Sequence, residues 1–483
     1  MVRRSRTVHR YIMFQLARFM NSDRRFIADT SWRRPENGTV VLAGSPLTLF
    51  SLSQAGKIVA ECIEHGLPLP SGHNSLTNRL IDAGAIHPVP SAADREVHGV
   101  QHVTAVIPAY IRTAHESQAL RSLVVQCQPF HSVIVIDDDS PHALPELGST
   151  LVIRNDVNQG PAAARNAGLA RVTTEFVAFF DLDVSISRST IVDLLPYFTD
   201  EKVGLVAPRV KSRAASDALS EYELVASVLD MGPDEARVAP GTRVSYVPSA
   251  AWLCRTSALQ SIDGFDESLR TGEDVDAVWR LHAAGWRARY QPQSVCTHSP
   301  RQNVQQFVQQ RISYGASAAP LAIRHSKKLG PVRLNWWQAS TWSFALFGMP
   351  FVALCVAIAA AVSTRRKLRA FPQLGNLGTQ LSFAATAKSG LSIARALSRV
   401  WWPIGLIAAV FSQRLRIIFI AAALGPALYE WWKQRPHLDV VRFTLLKMLD
   451  NAAYGAGVWK GVVATRSPAP LIPTVQKSAT NEQ

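Results

Sequence analysis

The sequence predicts an α/β chain: a core built on a doubly wound, mostly parallel sheet, a small N-terminal module ahead of it and membrane helices after it. Three observations predict this. From Val103 to about Ser299, short apolar β-type runs alternate with helical stretches, the pattern of βαβ units. From Gly38 to Pro90, two amphipathic helical patterns follow one strand pattern. From Asn335 to Thr364, 30 residues pass without a charge, and about 20 apolar residues suffice to cross a bilayer.

The 483 residues carry 51 Lys and Arg against 36 Asp and Glu, a net charge of +15, and 47% are apolar. That balance excludes a disordered acidic chain, a collagen-like chain and a small disulfide scaffold. The positive charge points to an anionic partner. Nucleic acid is not expected, because the basic residues divide between the N-terminal tail and the flanks of the apolar segments. The five cysteines, Cys62, Cys127, Cys254, Cys296 and Cys355, are widely spaced and form no C-x-x-C. They indicate neither a zinc site nor a disulfide frame, and fit a reducing compartment.

Residues 1–35 form a basic tail, solvated or touching anionic lipid. Its longest apolar run, Tyr11–Leu16, is too short for a signal peptide. Residues 36–92 form the module. A strand is expected at Thr39–Ala43. A helix follows at Ser51–Glu64, with Leu52, Ala55, Ile58, Val59 and Cys62 at helical spacing and Gly66 just beyond. A second helix at Ser75–Ala83 is closed by Gly84. With the following "GAIHPVP", the order is winged-helix-like. The core spans 100–330, with strands expected at Val103–Pro108, Ser132–Asp137, Thr150–Arg154, Glu175–Asp181, Val203–Pro208 and Tyr246–Cys254. Ligands of such sheets sit at the carboxyl ends of the strands. Residues 335–435 hold the membrane segments. Asn335–Thr364 is the strongest span; Val400–Gln413 and Ile417–Tyr429 are short enough to be re-entrant or interfacial. One span or three fit the pattern. Trp401, Trp402, Trp431 and Trp432 stand at their ends, where the headgroup level favours them. Residues 436–466 form an amphipathic segment with a helix at His437–Leu449, and 467–483 a disordered polar tail.

The chemistry-bearing residues fall at predicted strand ends. They occur in "VTAVIPAY", "VIVIDDDS", "NQGPAAARNAG", "FFDLDV" and "GFDESLRTGEDVDAVWRL". Asp181 and Asp183, two residues apart, lie on one side of an extended chain. Paired carboxylates there can hold Mg²⁺ or Mn²⁺ and leave positions for phosphate oxygens. Arg165 can fork onto a diphosphate, and Gly160 allows a turn or a close backbone approach. Glu273, Asp274 and Asp276 open a helix, and one of them can serve as a general base if its surroundings raise its pKa. His298 follows this cluster as a candidate metal or diphosphate contact.

Taken as a set, these motifs resemble those of family 2, A-type (GT-A, Rossmann-like) inverting glycosyltransferases, over Val103 to about Gly315. The resemblance implies a nucleotide-sugar donor and a metal. Pro108 and Tyr110 would line the base and ribose pocket, Asp138 would read the base, Arg165 would contact the nucleotide, and Asp181 would hold the ribose or metal region. Asp183 would bind the metal, helped by His298. Asp274 would be the general base, with Glu273 as runner-up. Trp252 and Asp276 would belong to the acceptor site. Asp139 departs from the pattern, standing where the family usually has Gly or Asn. A Q-x-x-R-W motif, common in processive synthases, is missing from "QQFVQQR". One displacement would invert the anomeric configuration.

The whole-chain order resembles that of glycosyltransferases of mycofactocin systems, with "LAGSPLTLFSLSQAG", "RALSRVWWPIGLIAAVF" and "LDNAAYGAGVWKG" as further matching stretches. Residues 40–90 are similar to peptide chaperones of peptide-derived redox-cofactor pathways. The resemblance implies a UDP-glucose donor and a β-1,4-linked glucose chain. The acceptor would be small and peptide-derived, with an aromatic hydroxyl. The apolar segments imply a membrane location, and the catalytic core is expected to face the cytoplasm, where nucleotide sugars are made. The alternative acceptor is polyprenyl phosphate or a cell-envelope glycan, and a degenerate sugar-nucleotide sensor is a third reading that the intact Asp183 and Asp274 oppose.

Overall fold

The computed structural model describes residues 24–35, 38–214, 216–301, 303–326 and 328–476. Most of the predicted tail, residues 1–23, and the last residues, 477–483, lie outside these ranges. The chain divides into two compact units. One comprises Met1–Lys211, Val228–Ser268 and Glu273–His298; the other comprises Ser212–Ser227, Leu269–Gly272 and Ser299–Gln483.

The first unit begins with the module: β1 (Arg25–Ala28), β2 (Val40–Ala43), β3 (Thr48–Ser51), α1 (Gln54–Glu64), α2 (Asn74–Asp82) and β4 (Ile86–Val89). β1 pairs antiparallel with β4, and β2 with β3. Ser53 caps α1, its hydroxyl accepting from the Gly56 N–H. Val59, Ala60 and Ile63 of α1 pack with Phe26, Val41, Phe50, Leu80 and Ile86 in one apolar core. Phe26 belongs to this core, so the module starts at Arg25 rather than after a tail ending at residue 35. β1 and β3 each bury a single residue, Phe26 and Phe50, too little to show as a strand in the sequence pattern, whereas β2 buries three.

The core sheet runs β11-β13-β10-β12-β8-β5-β6-β7, with β9 paired to β13. Its strands are β5 (Val103–Ala109), β6 (Ser132–Asp137), β7 (Leu151–Arg154), β8 (Phe176–Phe180), β9 (Val184–Ser185), β10 (Val203–Ser212), β11 (Ala236–Val238), β12 (Ala251–Arg255) and β13 (Arg287–His298). The order β8-β5-β6-β7 is parallel. β12 is antiparallel to β8 and β10, and β13 to β11 and β9. The sheet is therefore mixed, and the expectation of a mostly parallel sheet holds for its first half alone. The βαβ alternation ends at Asp181, after which antiparallel pairing takes over. β13 is invisible to periodicity because "RARYQPQSVCTH" threads Arg and Gln through buried positions.

One face of the sheet packs Ile107, Val135, Phe180 and Leu253 against Leu120, Leu123 and Val124 of α3 (Ala114–Cys127). On α4 (Pro161–Leu169), a Cβ at Gly168 would stand 2.3 Å from Val106 Cγ1, so only glycine lets this helix lie so close to β5. β5 sits between β6 and β8, the point where the order of strand addition reverses. Such a switch opens a crevice at the carboxyl ends of the two strands.

Ion pairs tie the module to the core. Asp29 Oδ2 lies 2.9 Å from His87 Nε2 and accepts from Arg243 Nη2 at 3.0 Å. Burial alone would raise the Asp29 pKa, but hydrogen bonds from His87 and Ser31 hold it well below the usual carboxylate range. Arg287 donates to Asp82 at 2.8 Å and to Asp200 at 2.7 Å.

The second unit is helical: α6 (Val304–Ala316), α7 (Trp336–Leu346), α8 (Pro350–Lys367), α9 (Leu377–Arg399), α10 (Trp402–Phe411), α11 (Gln413–Gln434) and α12 (Val440–Thr465). The uncharged run Asn335–Thr364 is not one span. It breaks at Phe347–Met349, where Gly348 takes φ +85°, and becomes α7 and α8. Among the described residues, α11 alone is long and apolar enough to cross a membrane. α9 and α10 pass that test together but are bent by 88°. Residues 474–476, expected in a disordered tail, form a strand paired parallel with Arg333–Asn335. The helix expected at His437–Leu449 runs on as α12 to Thr465. Gly457 and Gly461 meet α6 at its backbone: a Cβ at Gly457 would lie 2.1 Å from Ile312 O and one at Gly461 2.5 Å from Ala316 O. Buried Arg311 donates to Glu223 at 2.8 Å and to Asp450 at 3.1 Å, and Tyr222 Oη donates to Asp450 at 2.8 Å.

Candidate active site

At the carboxyl end of β5, Pro108 is half-buried and Tyr110 exposed, with the Arg112 guanidinium 5.8 Å from the Tyr110 ring centre. β6 ends in Asp137, whose Oδ1 accepts from the Ser140 N–H at 2.9 Å. Asp139 takes φ +61°, the left-handed region that favours Gly and admits Asn or Asp at modest cost. The same backbone therefore serves all three residues at this turn. Asp138 is buried. Its Oδ1 accepts from Asn155 Nδ2 (2.8 Å) and the Gln159 N–H (3.0 Å), and its Oδ2 from the Gly160 N–H (2.7 Å). Three of its roughly four acceptor directions are thus taken. Asp138 pins the "NQG" loop to the end of β6 rather than presenting a free carboxylate. Gly160, at φ +94°, turns the chain into α4.

Arg165, on α4, is buried. It donates from Nη1 to Glu273 Oε1 (2.8 Å) and from Nη2 to Asp181 Oδ1 (2.6 Å). Burial opposes its charge, but these two carboxylates outweigh burial and raise its pKa further. The side chain expected to touch the nucleotide instead bridges two predicted site carboxylates from below. The guanidinium also lies 5.5 Å from the Phe265 ring. Asn166 bonds the Phe265 backbone in both directions, at 2.8 Å each. "NQGPAAARNAG" and "GFDE" are therefore one packed assembly.

Past β8 the two aspartates of "DLD" part. Asp181 turns to Arg165. Asp183 Oδ2 lies 2.9 Å from His298 Nε2. The β9–β13 register makes this contact, setting His298 opposite Val184. The sequence pattern named both residues, but it did not contain the strand that joins them.

Asp274 opens α5 (Glu273–Ala283). Its carboxylate accepts from the Val275 N–H at 2.7 Å and the Ser249 N–H at 3.4 Å. Burial first, and then the charge of Glu273, push its pKa up to about 7. Asp276 faces the other way: it is fully buried and accepts from Arg280 Nε at 2.6 Å. Trp252 is also fully buried, stacked on Phe265 with ring centres 5.6 Å apart. Alternation on β12 sends Ala251 and Leu253 into one core layer and Trp252 into the opposite one. Trp252 and Asp276 thus pack the core rather than lining an acceptor surface. Sequence reasoning gave no role to Asn166, which it singled out within its motif, and missed Phe265 and the Ser249 N–H. Asn166 and Phe265 stood inside quoted motifs; a backbone donor such as Ser249 N–H leaves no signal in side-chain identity.

A model of "Glycosyl transferase family 2" matches residues 104–262. Over 459 residues the chain is 35% identical to the "Pre-mycofactocin glycosyltransferase" of Mycobacterium tuberculosis, covering 91% of this chain and 95% of that one. It is 22% identical over 211 residues to the "Poly-beta-1,6-N-acetyl-D-glucosamine synthase" of Staphylococcus aureus, covering 42% of this chain and 51% of that one. Among solved structures, a Pyrobaculum calidifontis mannosyltransferase determined with GDP-Man and Mn²⁺ aligns at 15% identity and a TM-score of 0.35, over 67% of this chain and 86% of that one.

Proposed function

The chain belongs to the pre-mycofactocin glycosyltransferases of glycosyl transferase family 2 and is a nucleotide-sugar-dependent hexosyltransferase; from that premise we propose that it transfers glucose from UDP-glucose to a small, peptide-derived mycofactocin precursor, building a β-linked oligoglucose chain. The observation that carries this reading is the state of Asp274. Two backbone N–H groups hold it in place, its pKa sits near neutrality, and Glu273 beside it is joined to Asp181 through Arg165. A carboxylate in that state is matched to taking a proton from an acceptor hydroxyl. Glu273, held by Arg165, sets the local charge and leaves the proton to its neighbour.

In this mechanism the acceptor oxygen attacks the anomeric carbon as Asp274 Oδ takes its proton, and the diphosphate leaves from the opposite face. Pro108 and Tyr110 border the crevice that takes the nucleoside. Asp138 shapes that crevice by fixing the loop that ends at Gly160. A divalent cation fits Asp183 and His298, a hard carboxylate oxygen and an imidazole nitrogen already 2.9 Å apart. Among the described residues no third protein ligand joins them, so diphosphate oxygens and water would complete the shell. When bound, Mg²⁺ or Mn²⁺ supplies charge neutralisation at the departing diphosphate. The module, residues 25–89, presents the acceptor. The helices of the second unit attach the enzyme to the cell membrane, and the catalytic unit faces the cytoplasm.

The test is transfer from radiolabelled UDP-glucose by detergent-purified protein, with the aromatic precursor and a polyprenyl phosphate extract offered separately. Label on the precursor supports the proposal. Label in the lipid alone keeps the enzyme class and overturns the acceptor.

A further inference from the structure

No Asp or Glu occurs between Asp276 and Glu430. Nine Lys and Arg fall between Asn335 and Glu430, among them Arg365, Arg366, Lys367, Arg414 and Arg416. Within this acid-free stretch two helix–helix turns lie side by side. One joins α7 to α8, the other α10 to α11. Arg414 Nη2 donates to Ala345 O at 3.1 Å, reaching from the second turn to the last residues of α7. Arg416 Nε donates to Ala409 O at 3.1 Å, closing the end of α10. These bonds satisfy helix-terminal carbonyls and leave other guanidinium donors over. Beside them stand Phe347, Phe351, Val410 and Phe411, exposed by 79%, 82%, 72% and 84%. Apolar side chains this exposed, gathered at one place and edged by arginine, are costly in water.

Of the helices behind the turns, α11 over its full 22 residues is long enough to cross a bilayer, but the uncharged stretches of α8 and α11 are shorter than the hydrocarbon core. The uncharged part of α11, Ile417–Tyr429, has 13 residues, or about 20 Å at 1.5 Å per residue. The uncharged part of α8, Pro350–Thr364, is about 22 Å long on the same measure. The hydrocarbon core is roughly 30 Å thick. Moreover, Glu430 near the end of α11 is paired with Arg395 and Lys447, at 2.7 Å each, and Arg416 stands near its start.

We propose that the two adjoining turns enter one leaflet of an anionic bilayer together, their apolar side chains at the headgroup–acyl boundary and Arg414 and Arg416 at the phosphates, so that the enzyme is held on one side of the membrane without spanning it. The inference rests on the membrane association proposed above and supplies its mode. Long cationic side chains reach phosphates while their stems stay among apolar groups, and a one-leaflet anchor combines apolar burial with attraction to anionic lipid.

The experiment adds full-length protein, diluted out of detergent, to preformed sealed vesicles. One set is phosphatidylcholine alone, the other equal parts phosphatidylcholine and phosphatidylglycerol. The double variant Phe347→Ser, Phe411→Ser changes exposed residues only, and circular dichroism checks its fold. Preferential binding to the anionic vesicles is expected, weakened by salt and lowered at least about tenfold in the double variant. A thiol-reactive fluorophore on Phe411→Cys, in a Cys355→Ser background because Cys355 is itself exposed, should be quenched by lipid-borne quenchers and not by an aqueous quencher trapped in the lumen. Equal binding to both vesicles, undiminished binding of the double variant, or lumenal quenching overturns the proposal. Lipid-free self-association that the double variant abolishes, without vesicle binding, also overturns it. Glucose transfer to the soluble precursor is measured on the same samples: its loss with vesicle binding intact overturns the function and not the anchor.

Discussion

Asp274 is the residue on which the chemistry turns. With a pKa near 7, it becomes a base as pH rises. The rate of glucose transfer should therefore climb about tenfold per pH unit below neutrality and level off above about 7. A steady-state pH profile of kcat checks this, and a flat profile from pH 5 to 8 rejects Asp274 as the proton acceptor. Asp274→Asn should lower kcat by about 10²–10⁴-fold while UDP-glucose still binds, as isothermal titration would report. Asp183→Ala and His298→Ala should each raise the Mn²⁺ concentration needed for half-maximal rate, whereas Trp252→Phe, deep in the core, should leave it unchanged. Much at this scale was legible. Asp181, Asp183, Asp274 and His298 were all named from motif order, and the structure sets Asp183 beside His298 and joins Asp181 through Arg165 to Glu273, the neighbour of Asp274. The roles of Arg165, Asp138 and Trp252 were not legible, because sequence records which side chain is present and not how much of its bonding capacity the fold has already used.

At the scale of elements, the close approach of α6 and α12 makes a sharp demand. A Cβ at Gly457 would meet the Ile312 carbonyl at 2.1 Å, so Gly457→Val must push the two helices apart. A loss of stability of at least about 1–3 kcal/mol follows, read as a lowered thermal midpoint in detergent. Arg311→Met would leave the buried carboxylates Glu223 and Asp450 without their cation, Asp450 keeping its bond from Tyr222 Oη, at a cost of about 3–5 kcal/mol. Strand β6 was recovered to the residue because "SVIVID" is apolar, β-branched and bounded by turn residues. β13 was lost because its buried positions include Arg289 and Gln291, which a hydrophobicity pattern assigns to solvent. The uncharged run from Asn335 looked like one span because composition does not register a left-handed glycine at 348 that folds the run in two.

At the scale of the first unit, the module and the core share ion pairs, of which Asp29 is the buried member. Asp29 is held charged well below its ordinary pKa. Its stabilising contribution is complete above the unfolded value of about 4 and is lost as pH falls below it. Urea midpoints measured from pH 7 down to 3 should fall over the acid end, and Asp29→Asn should flatten that fall. The outline of this unit was legible as a module followed by an α/β sheet. Its stitching was not, since Asp29, Arg243 and Asp82, Arg287 are pairs distant in sequence with no shared motif. Those stitches bear on how the molecule breathes. Two pieces joined only by the linker at Val89–His102 would open separately, the smaller first. Joined instead through Asp29, a buried carboxylate of the module whose Arg243 partner belongs to the core, they open as one cooperative unit. The amide hydrogens of β1 and β4 should then exchange with deuterium in step with those of β5, not ahead of them.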